Sequence, residues 1–342
     1  MQTIDDIYRK RKPRALPLFC FAALVAAAAA AFALHGCGGG ETASAEAAEP
    51  AATAEPAQAG PAADAATAPE QTGPAAPAPA EAQAAAPVPS PDAPRVGSLD
   101  KAALDKAFEE AAAFEKTGKL YDARDVLLAA LDRAGEAEAA ELERELGRLA
   151  TDIYFTPRPG PDKVVYAVKE GDSLAKLADR YVCPVAFIMR ANGVKDANRI
   201  RPGQTLVFPD HPKFAVTVSK SKNTLLLTLD GKFFKRYVVG TGANAKTPAG
   251  TYDMVERIEH PGWWNDGVEI PYGDPANILG THWLALEPTG DTPRVSGYGI
   301  HGTWDESSLG KQSSAGCVRM RNRDVEELYV LLPRGTPVLV VE

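Results

Sequence analysis

Two short segments, IHGT at residues 300–303 and SSAGCVRM at residues 313–320, decide how the C-terminal part of this chain folds and reacts. His301 precedes Cys317 by sixteen positions, and a glycine comes directly before the cysteine. The thiolate is the nucleophilic form of cysteine, and an imidazole that accepts the thiol proton supplies it near neutral pH. From the residues alone, the alternative is that Cys317 is a small buried hydrophobe and His301 a satisfied polar group.

The neighbours of this pair favour a reactive site. Ile300 and Val318 are apolar, so we expect both to be buried in a core while His301 and Cys317 face a cleft. Gly316 would let a substrate carbonyl approach the backbone closely. Amide groups around Cys317 could then stabilise the oxyanion that forms on that carbonyl.

The pattern HG-x-…-S-x-G-C-x-R, which runs from His301 to Arg319, resembles the signature of the YkuD-type L,D-transpeptidases. These are bacterial enzymes that cross-link peptidoglycan through a cysteine. Residues 213–342 resemble that catalytic domain from end to end. The chain departs from the family at Ala315, where many members carry His or Arg, so a role for that third side chain is open.

The resemblance implies a role for each residue of the signature. Cys317 would be the nucleophile and His301 the proton acceptor, with the backbone carbonyl of Gly302 orienting His301. Gly316 would contribute to the oxyanion site. The expected reaction is attack on the third residue of a stem peptide, loss of the terminal D-alanine, and transfer to an amine to give a 3→3 cross-link.

Three further residues are expected at the substrate side of the site: Arg319, Ser314 and Tyr298. Arg319 could hold a substrate carboxylate through two hydrogen bonds, or it could brace the loop through backbone carbonyls. Ser314 is expected to shape the turn, because a neighbouring thiolate is far more reactive than its hydroxyl. Tyr298 lies just before the histidine and would line the cleft.

Alternating apolar and polar residues indicate that the catalytic region is mostly β. We predict a strand at 224–229, a hairpin turn at Asp230-Gly231, a strand at 232–239 and one late helix at 322–332. The expected architecture is a β-sandwich with a helix at one side.

Two loops of this region differ in what we expect of them. The segment TPAGT at 247–251 is interpreted as a scaffold turn without chemistry. The insertion at 260–272, rich in Trp and Gly, is the candidate lid over the cleft. Trp263 and Trp264 could grip substrate there or only pack the loop down.

Residues 163–210 resemble a LysM domain, which would make this chain an L,D-transpeptidase with an N-terminal LysM domain. The resemblance rests on YAVKEGDSL at 166–174, NG at 192–193 and RPGQTL at 201–206. The pattern predicts a small α+β module of order βααβ, with Asp172 capping a helix that begins at Ser173. By resemblance the module binds the N-acetylglucosamine-containing glycan of peptidoglycan through two loops. Their residues are Gly171, Asp172, Ser173, Asn198, Arg199 and Ile200.

Residues 98–155 carry apolar residues at helical spacing and predict three helices. They resemble a tetratricopeptide-like helical hairpin, but only about one and a half units are present, whereas repeat arrays need several. This helical module is therefore either a packing spacer or a contact surface for a partner protein.

The first 37 residues combine a cationic cluster with a long apolar run and predict an export signal, a lipoprotein signal or a membrane anchor. The motif LHGC resembles a lipobox, which makes Cys37 a candidate lipidation site. Residues 38–97 are mostly Ala, Pro and Glu and cannot bury enough apolar surface to fold, so they are expected to be a disordered linker. Either anchor places the protein in the cell envelope or periplasm, attached to the membrane.

Composition limits the remaining function classes. A net charge of −8 over 342 residues argues against a nucleic-acid partner. Four scattered cysteines give neither a disulfide framework nor a metal site, and no cofactor is expected. Two alternatives to the transpeptidase remain: a cysteine L,D-carboxypeptidase or amidase that trims stem peptides, and a non-catalytic peptidoglycan-binding protein.

Overall fold

The computed structural model describes residue 95 and residues 97–243, 246–265, 267–294 and 297–342, which all belong to one compact unit. The predicted signal or anchor at 1–37, with Cys37, and nearly all of the predicted linker lie outside these residues. Among the described helices, none is both long and apolar enough to cross a bilayer.

Three helices form the first module: α1 (Lys101–Lys116), α2 (Leu120–Leu131) and α3 (Glu136–Tyr154). Asp100 caps α1, because its carboxylate accepts a hydrogen bond of 2.7 Å from Ala103 N. The module has its own core of Leu and Ala side chains. Helix α3 continues to Tyr154, since Ile153 and Tyr154 are buried against the modules that follow.

The second module has the predicted βααβ order: β1 (Lys163–Ala167), α4 (Leu174–Tyr181), α5 (Val185–Asn192) and β2 (Thr205–Pro209). Strands β1 and β2 pair antiparallel. The predicted cap is wrong by one residue. Ser173 caps α4 through Lys176 N, whereas Asp172 accepts hydrogen bonds from Lys169 N and Tyr166 Oη, both at 2.8 Å.

The third module is mostly β, as predicted, and contains one α-helix. Its elements are β3 (Phe214–Ser219), β4 (Thr224–Leu229), β5 (Lys232–Val238), β6 (Thr241–Gly242), β7 (Gly250–Glu259), β8 (Trp263–Asn265), β9 (Val268–Ile270), β10 (His282–Thr289), β11 (Gly299–His301), a 3-10 turn (Glu306–Ser308), β12 (Gln312–Ser314), β13 (Val318–Arg319), α6 (Asn322–Leu331) and β14 (Thr336–Val341). The turn between β4 and β5 has positive φ at Asp230 (50°) and Gly231 (76°), which is the expected two-residue hairpin.

The strand pairing differs from a simple sandwich of two large sheets. Eight strands form one mixed sheet in the order β13-β11-β10-β7-β14-β3-β4-β5, and two short pairs, β12-β6 and β8-β9, accompany it. Within the large sheet, β11 pairs parallel with β13 and β14 pairs parallel with β3. Such pairings join segments that are far apart in sequence, so alternation patterns alone do not reveal them.

The second and third modules share one hydrophobic core. Phe187 on α5 lies 6.3 Å from Phe214 on β3 and 5.8 Å from Phe155, measured between ring centroids. Phe234 on β5 continues the chain of rings at 5.5 Å from Phe214 and 5.4 Å from Tyr154. The LysM-like module is therefore packed onto the sheet.

The helical module is also bound to the sheet. Glu143 on α3 is 9% exposed and accepts two hydrogen bonds from the Arg236 guanidinium on β5, at 2.6 and 2.9 Å. This bidentate pair gives strong, directional contact. A Cβ on Gly147 would lie 3.1 Å from Lys235 Cγ, so α3 approaches β5 closely. This face of the module packs inside the chain.

A buried lysine closes the junction between the helical and LysM-like modules. Lys163 Nζ donates to the carbonyl oxygens of Ile153, Thr156 and Arg158, which satisfies groups at the C-terminal end of α3. Burial lowers the pKa of Lys163 to about 8. The three modules thus form one packed structure.

We predict that Phe187→Ala lowers the stability of all three modules together, by about 3–5 kcal/mol, because it opens a cavity in the core that the second and third modules share and that the end of α3 joins. Thermal unfolding of the purified protein should show one transition at a reduced temperature. Val165→Ala is the matched control in the same module, since Val165 is 54% exposed and should change stability by less than about 0.5 kcal/mol. Two transitions, with the larger one unshifted, would contradict the shared core.

Candidate active site

The parallel pairing of β11 with β13 brings the two signature segments together. Ile300 is opposite Val318, and His301 is opposite Arg319. Ile300 and Val318 are at most 1% exposed and belong to the core. Side chains alternate along a strand, so His301 on β11 and Cys317, directly before β13, lie toward the other face.

His301 is held in one tautomer by the backbone. Its Nδ1 lies 2.6 Å from Gly302 O, so Nδ1 carries the proton and donates it to this carbonyl. This leaves Nε2 with a lone pair and able to accept a proton. The side chain is 2% exposed. Burial lowers the pKa of His301 to about 4, against an opposing effect of hydrogen bonds to the Gly302 backbone, and the nearby charge of Arg319 lowers it further.

Gly302 is itself fixed by its surroundings. Its N–H donates to His282 O at 3.2 Å. A Cβ at this position would lie 2.1 Å from Asn322 Oδ1, which accepts a hydrogen bond of 3.2 Å from Thr281 N. The carbonyl that orients His301 therefore belongs to a closely packed peptide.

Trp283 on β10 covers the histidine on one side. Its ring stacks on the His301 ring with centroids 5.7 Å apart and planes inclined by 26°. A Cβ on Gly299 would lie 2.5 Å from Trp283 Cζ2, so only glycine leaves space for the indole. This stacking excludes water from one face of the imidazole and contributes to its low pKa.

Cys317 is half-buried and not bonded to another cysteine. Its Sγ lies 3.5 Å from Gly297 O, toward which the thiol donates. Burial raises the pKa of Cys317, while the Gly299 backbone and the charge of Arg319 oppose this. Both pKa shifts favour the uncharged forms at rest, a thiol at Cys317 and an imidazole at His301.

The turn that carries Cys317 is closed by Ser314. The Ser314 hydroxyl donates to Cys317 O at 2.7 Å and accepts from Gly316 N at 3.1 Å. Ser314 is 4% exposed. Ser314 is thus engaged within the turn, as expected, whereas its burial is at odds with its expected place on the substrate side. The Gly316 N–H already has an acceptor, which is at odds with its expected contribution to the oxyanion site. In the part of the chain that the structure describes, the Cys317 N–H donates to no acceptor, so it stays the candidate oxyanion donor.

Tyr298 and Arg319 lie at the rim of the site. Tyr298 Oη donates to Lys246 O at 2.6 Å, and a Cβ on Gly316 would lie 3.0 Å from the tyrosine ring. Arg319 is half-buried, and its backbone exchanges hydrogen bonds of 2.8 and 2.9 Å with Gly240. Its charge acts on both His301 and Cys317.

The insertion at 260–272 forms the β8-β9 hairpin. Asn277, which is 1% exposed, holds its base by donating to Pro261 O at 2.9 Å and to Ile270 O at 3.0 Å. Trp263 is half-buried, whereas Trp264 is 66% exposed. A hairpin that is anchored at its base and exposes a tryptophan is compatible with the predicted lid, and the lid function stays a prediction.

The predicted glycan-binding loops of the LysM-like module face solvent in part. Gly171, Asn198 and Arg199 are exposed, and Ile200 packs against the core. Asp172 accepts hydrogen bonds from Lys169 N and Tyr166 Oη, and Ser173 caps α4, as described above. Arg199 forms an ion pair of 3.2 Å with Asp196.

Several residues of the site were missed by sequence reasoning. Trp283 on β10 stacks on His301, Asn322 on α6 packs against Gly302, and Asn277 holds the base of the β8-β9 hairpin. None of these three residues lies in a signature. Thr247 was assigned to a scaffold turn, yet its hydroxyl donates to Gly316 O, 69 positions away. In the sequence, the Thr247-Pro248 dipeptide was the feature that could have indicated a fixed position for the Thr247 side chain. Among the described residues, no cluster of His, Cys, Asp and Glu is arranged to hold a metal ion.

Residues 213–340 match the L,D-transpeptidase catalytic domain family YkuD, and residues 166–209 match the LysM domain family. The LysM match lies in the middle of the chain, directly before the catalytic domain. The prediction of an N-terminal LysM domain is wrong in this respect, because the helical module and more than ninety earlier residues precede it.

Proteins named as L,D-transpeptidases are similar to this chain. YkuD of Bacillus subtilis (strain 168) is 32% identical over 183 residues, which cover 52% of this chain and 98% of that protein. YqjB of the same organism is 38% identical over 128 residues, or 37% of this chain and 70% of that protein. A crystal structure of L,D-transpeptidase 3 from Mycobacterium tuberculosis is 21% identical, with a TM-score of 0.32 over 41% of this chain and 66% of that one. The chain belongs to the YkuD family of L,D-transpeptidases.

Proposed function

We propose that this protein is a cysteine L,D-transpeptidase that forms 3→3 cross-links between peptidoglycan stem peptides. The observation that carries the proposal is the hydrogen bond of 2.6 Å from His301 Nδ1 to Gly302 O. It leaves Nε2 of a neutral, buried imidazole free to act as a base on the strand beside Cys317.

In the first step His301 Nε2 accepts the Cys317 proton, and Sγ bonds to the carbonyl carbon of the third stem residue. The Cys317 N–H stabilises the resulting oxyanion. The tetrahedral intermediate then breaks its C–N bond, and the departing D-alanine nitrogen takes the proton from His301. The product of this step is a thioester on Cys317.

In the second step an amine on the side chain of another stem attacks the thioester carbonyl. His301 accepts a proton from the attacking nitrogen, the C–S bond breaks, and His301 returns the proton to Sγ, which restores the thiol. If water attacks instead, the product is a trimmed tripeptide. A carboxypeptidase would follow the second route, so the acceptor that reaches the thioester decides between the two enzymes.

The LysM module supports a peptidoglycan substrate, because it supplies a second contact to the same polymer through Gly171, Asn198 and Arg199. We propose a location in the cell envelope, with residues 1–37 as export signal or anchor and Cys37 as the lipidation site of a lipoprotein. We propose no cofactor. The helical module acts as a packing spacer through Glu143 and Arg236, and partner contact would use its other faces.

We predict that a carbapenem, whose strained amide imitates the acyl donor, adds once to the protein and not to Cys317→Ala. Intact mass measures the adduct. Cys183→Ala is the matched control, because Cys183 is the other described cysteine, is 2% exposed, and has its pKa raised by burial. It should acquire the adduct normally.

An adduct that persists in Cys317→Ala would contradict the nucleophile assignment. A folded protein that acquires no adduct would favour the non-catalytic binding protein. Once acylation is established, incubation with isolated muropeptides separates the enzymes: cross-linked dimers indicate a transpeptidase, and tripeptides alone indicate a carboxypeptidase.

We predict an unusual pH dependence of carbapenem acylation. Protonated His301 cannot accept the thiol proton, so the rate constant should fall only as the pH drops through about 4. An ordinary histidine would give this acid limb near 6.5. Alkylation by iodoacetamide, which requires thiolate, should still increase above the usual thiol range, because burial raises the pKa of Cys317. Circular dichroism at each pH controls for unfolding. An acid limb near 6.5 would show that His301 is not desolvated.

We predict that Asn198→Ala combined with Arg199→Ala weakens sedimentation with insoluble peptidoglycan by about tenfold, since one or two hydrogen bonds of about 1 kcal/mol each are lost. Acylation by the carbapenem should not change. Lys106→Ala, which removes an exposed charge from α1, is the matched control. Unchanged sedimentation would place the glycan contact elsewhere. Point variants are preferable to deletion of the module, which would expose Phe214.

A further inference from the structure

Thr247 connects the nucleophile turn to a separate strand. Its side chain is 3% exposed. The hydroxyl donates to Gly316 O and accepts a hydrogen bond of 2.8 Å from Gly242 N at the end of β6. The Thr247 hydroxyl therefore donates its hydrogen bond to the peptide that joins Gly316 to Cys317.

The planarity of this peptide makes the contact consequential. In a trans peptide the C=O and N–H groups point in opposite directions. Thr247 holds Gly316 O on one side, so the Cys317 N–H points to the other. The other polar groups of the turn are bonded to Ser314, which leaves the Cys317 N–H as the group whose direction Thr247 sets.

The hydroxyl is also rigidly placed. Pro248 restricts the backbone of Thr247 to extended conformations, and a β-branched side chain has few rotamers. The Tyr252 hydroxyl donates to Pro248 O at 2.9 Å and anchors the loop to a tyrosine that is 2% exposed. Threonine here holds its partner with little loss of conformational entropy.

The turn depends on this contact because its own backbone is unusual. Gly316 has φ of +147°, which residues with a side chain rarely adopt. A Cβ on Gly242 would lie 2.7 Å from Thr247 N and 3.0 Å from Gly316 Cα, so three segments meet at van der Waals distance. Rotation of the Gly316–Cys317 peptide would break the Thr247 bond.

We propose that Thr247 is the positioning residue of the oxyanion site, acting through the Gly316–Cys317 peptide. The proposal rests on the proposed cysteine acylation. Unlike a residue that only stabilises the fold, Thr247 would affect the step of acylation in which the oxyanion forms.

Two reactions of Cys317 separate this role from a general effect on the cysteine. Acylation by a carbapenem develops an oxyanion, whereas alkylation by iodoacetamide displaces iodide at carbon and develops none. Removing an oxyanion donor from a protease costs about 10²–10³ in rate. Since Thr247→Val retains the donor but releases its direction, we expect acylation to slow by about 10- to 100-fold. Alkylation should keep its rate and its pH profile, and Thr247→Ser, which keeps the hydroxyl, should restore most of the acylation rate.

Thr228→Val is the matched control, since Thr228 is 2% exposed and its hydroxyl donates to Ala215 O at 3.3 Å on β3. It should leave both reactions unchanged. Acylation of Thr247→Val at the rate of the unsubstituted protein, or an equal loss in both reactions, would overturn the proposal while the cysteine mechanism stands. If the unsubstituted protein itself is not acylated, the proposed function fails first. Thr247→Ala carries the same test should Thr247→Val not fold.

Discussion

The two-residue parallel ladder between β11 and β13 is the constraint on which the catalytic site depends. It is short, yet Ile300 and Val318 anchor it from the core side, and Gly240 pairs with Arg319 at its outer edge. The other contacts described for the site hold one of the two segments that this ladder joins. Trp283 and Gly302 act on the histidine that ends β11, and Ser314 and Thr247 act on the turn that leads into β13.

Burial at this ladder determines the protonation states of the pair. Removing water disfavours charge on both groups, so the pKa of His301 falls and that of Cys317 rises. An ion pair is therefore not the resting state. In the proposed mechanism, charge develops only during the reaction, on the imidazolium and on the oxyanion. Two backbone groups would stabilise it: the Gly302 carbonyl for the imidazolium and the Cys317 amide for the oxyanion. These backbone dipoles would offset the low polarity of the resting site, because they are in place before charge develops.

The sequence predicted the elements well and their long-range arrangement less well. The βααβ module, the Asp230-Gly231 hairpin and helix α6 follow from local rules of periodicity, turn chemistry and capping. The position of β14 between β3 and β7 does not, because such pairings depend on the whole core. The same limit applies to the site. His301 and Cys317 have reactive side chains, so the sequence alone suggested them as a catalytic pair, whereas Thr247 contacts the backbone 69 positions away and was taken for scaffold.

Although the sequence divides into three modules, the folded modules are packed against one another. Phe187, Phe214 and Phe234 form one series of ring contacts from the LysM module into the sheet, and Glu143 fixes the helical module to β5. A hinge between the two modules would have to separate these buried rings, so we expect the loops at Gly171 and Arg199 to keep their position relative to Cys317. A glycan strand held by those loops would meet the active site in a limited range of registers. The choice of stem peptide would then be set partly by where the glycan is held, and not by the cleft alone.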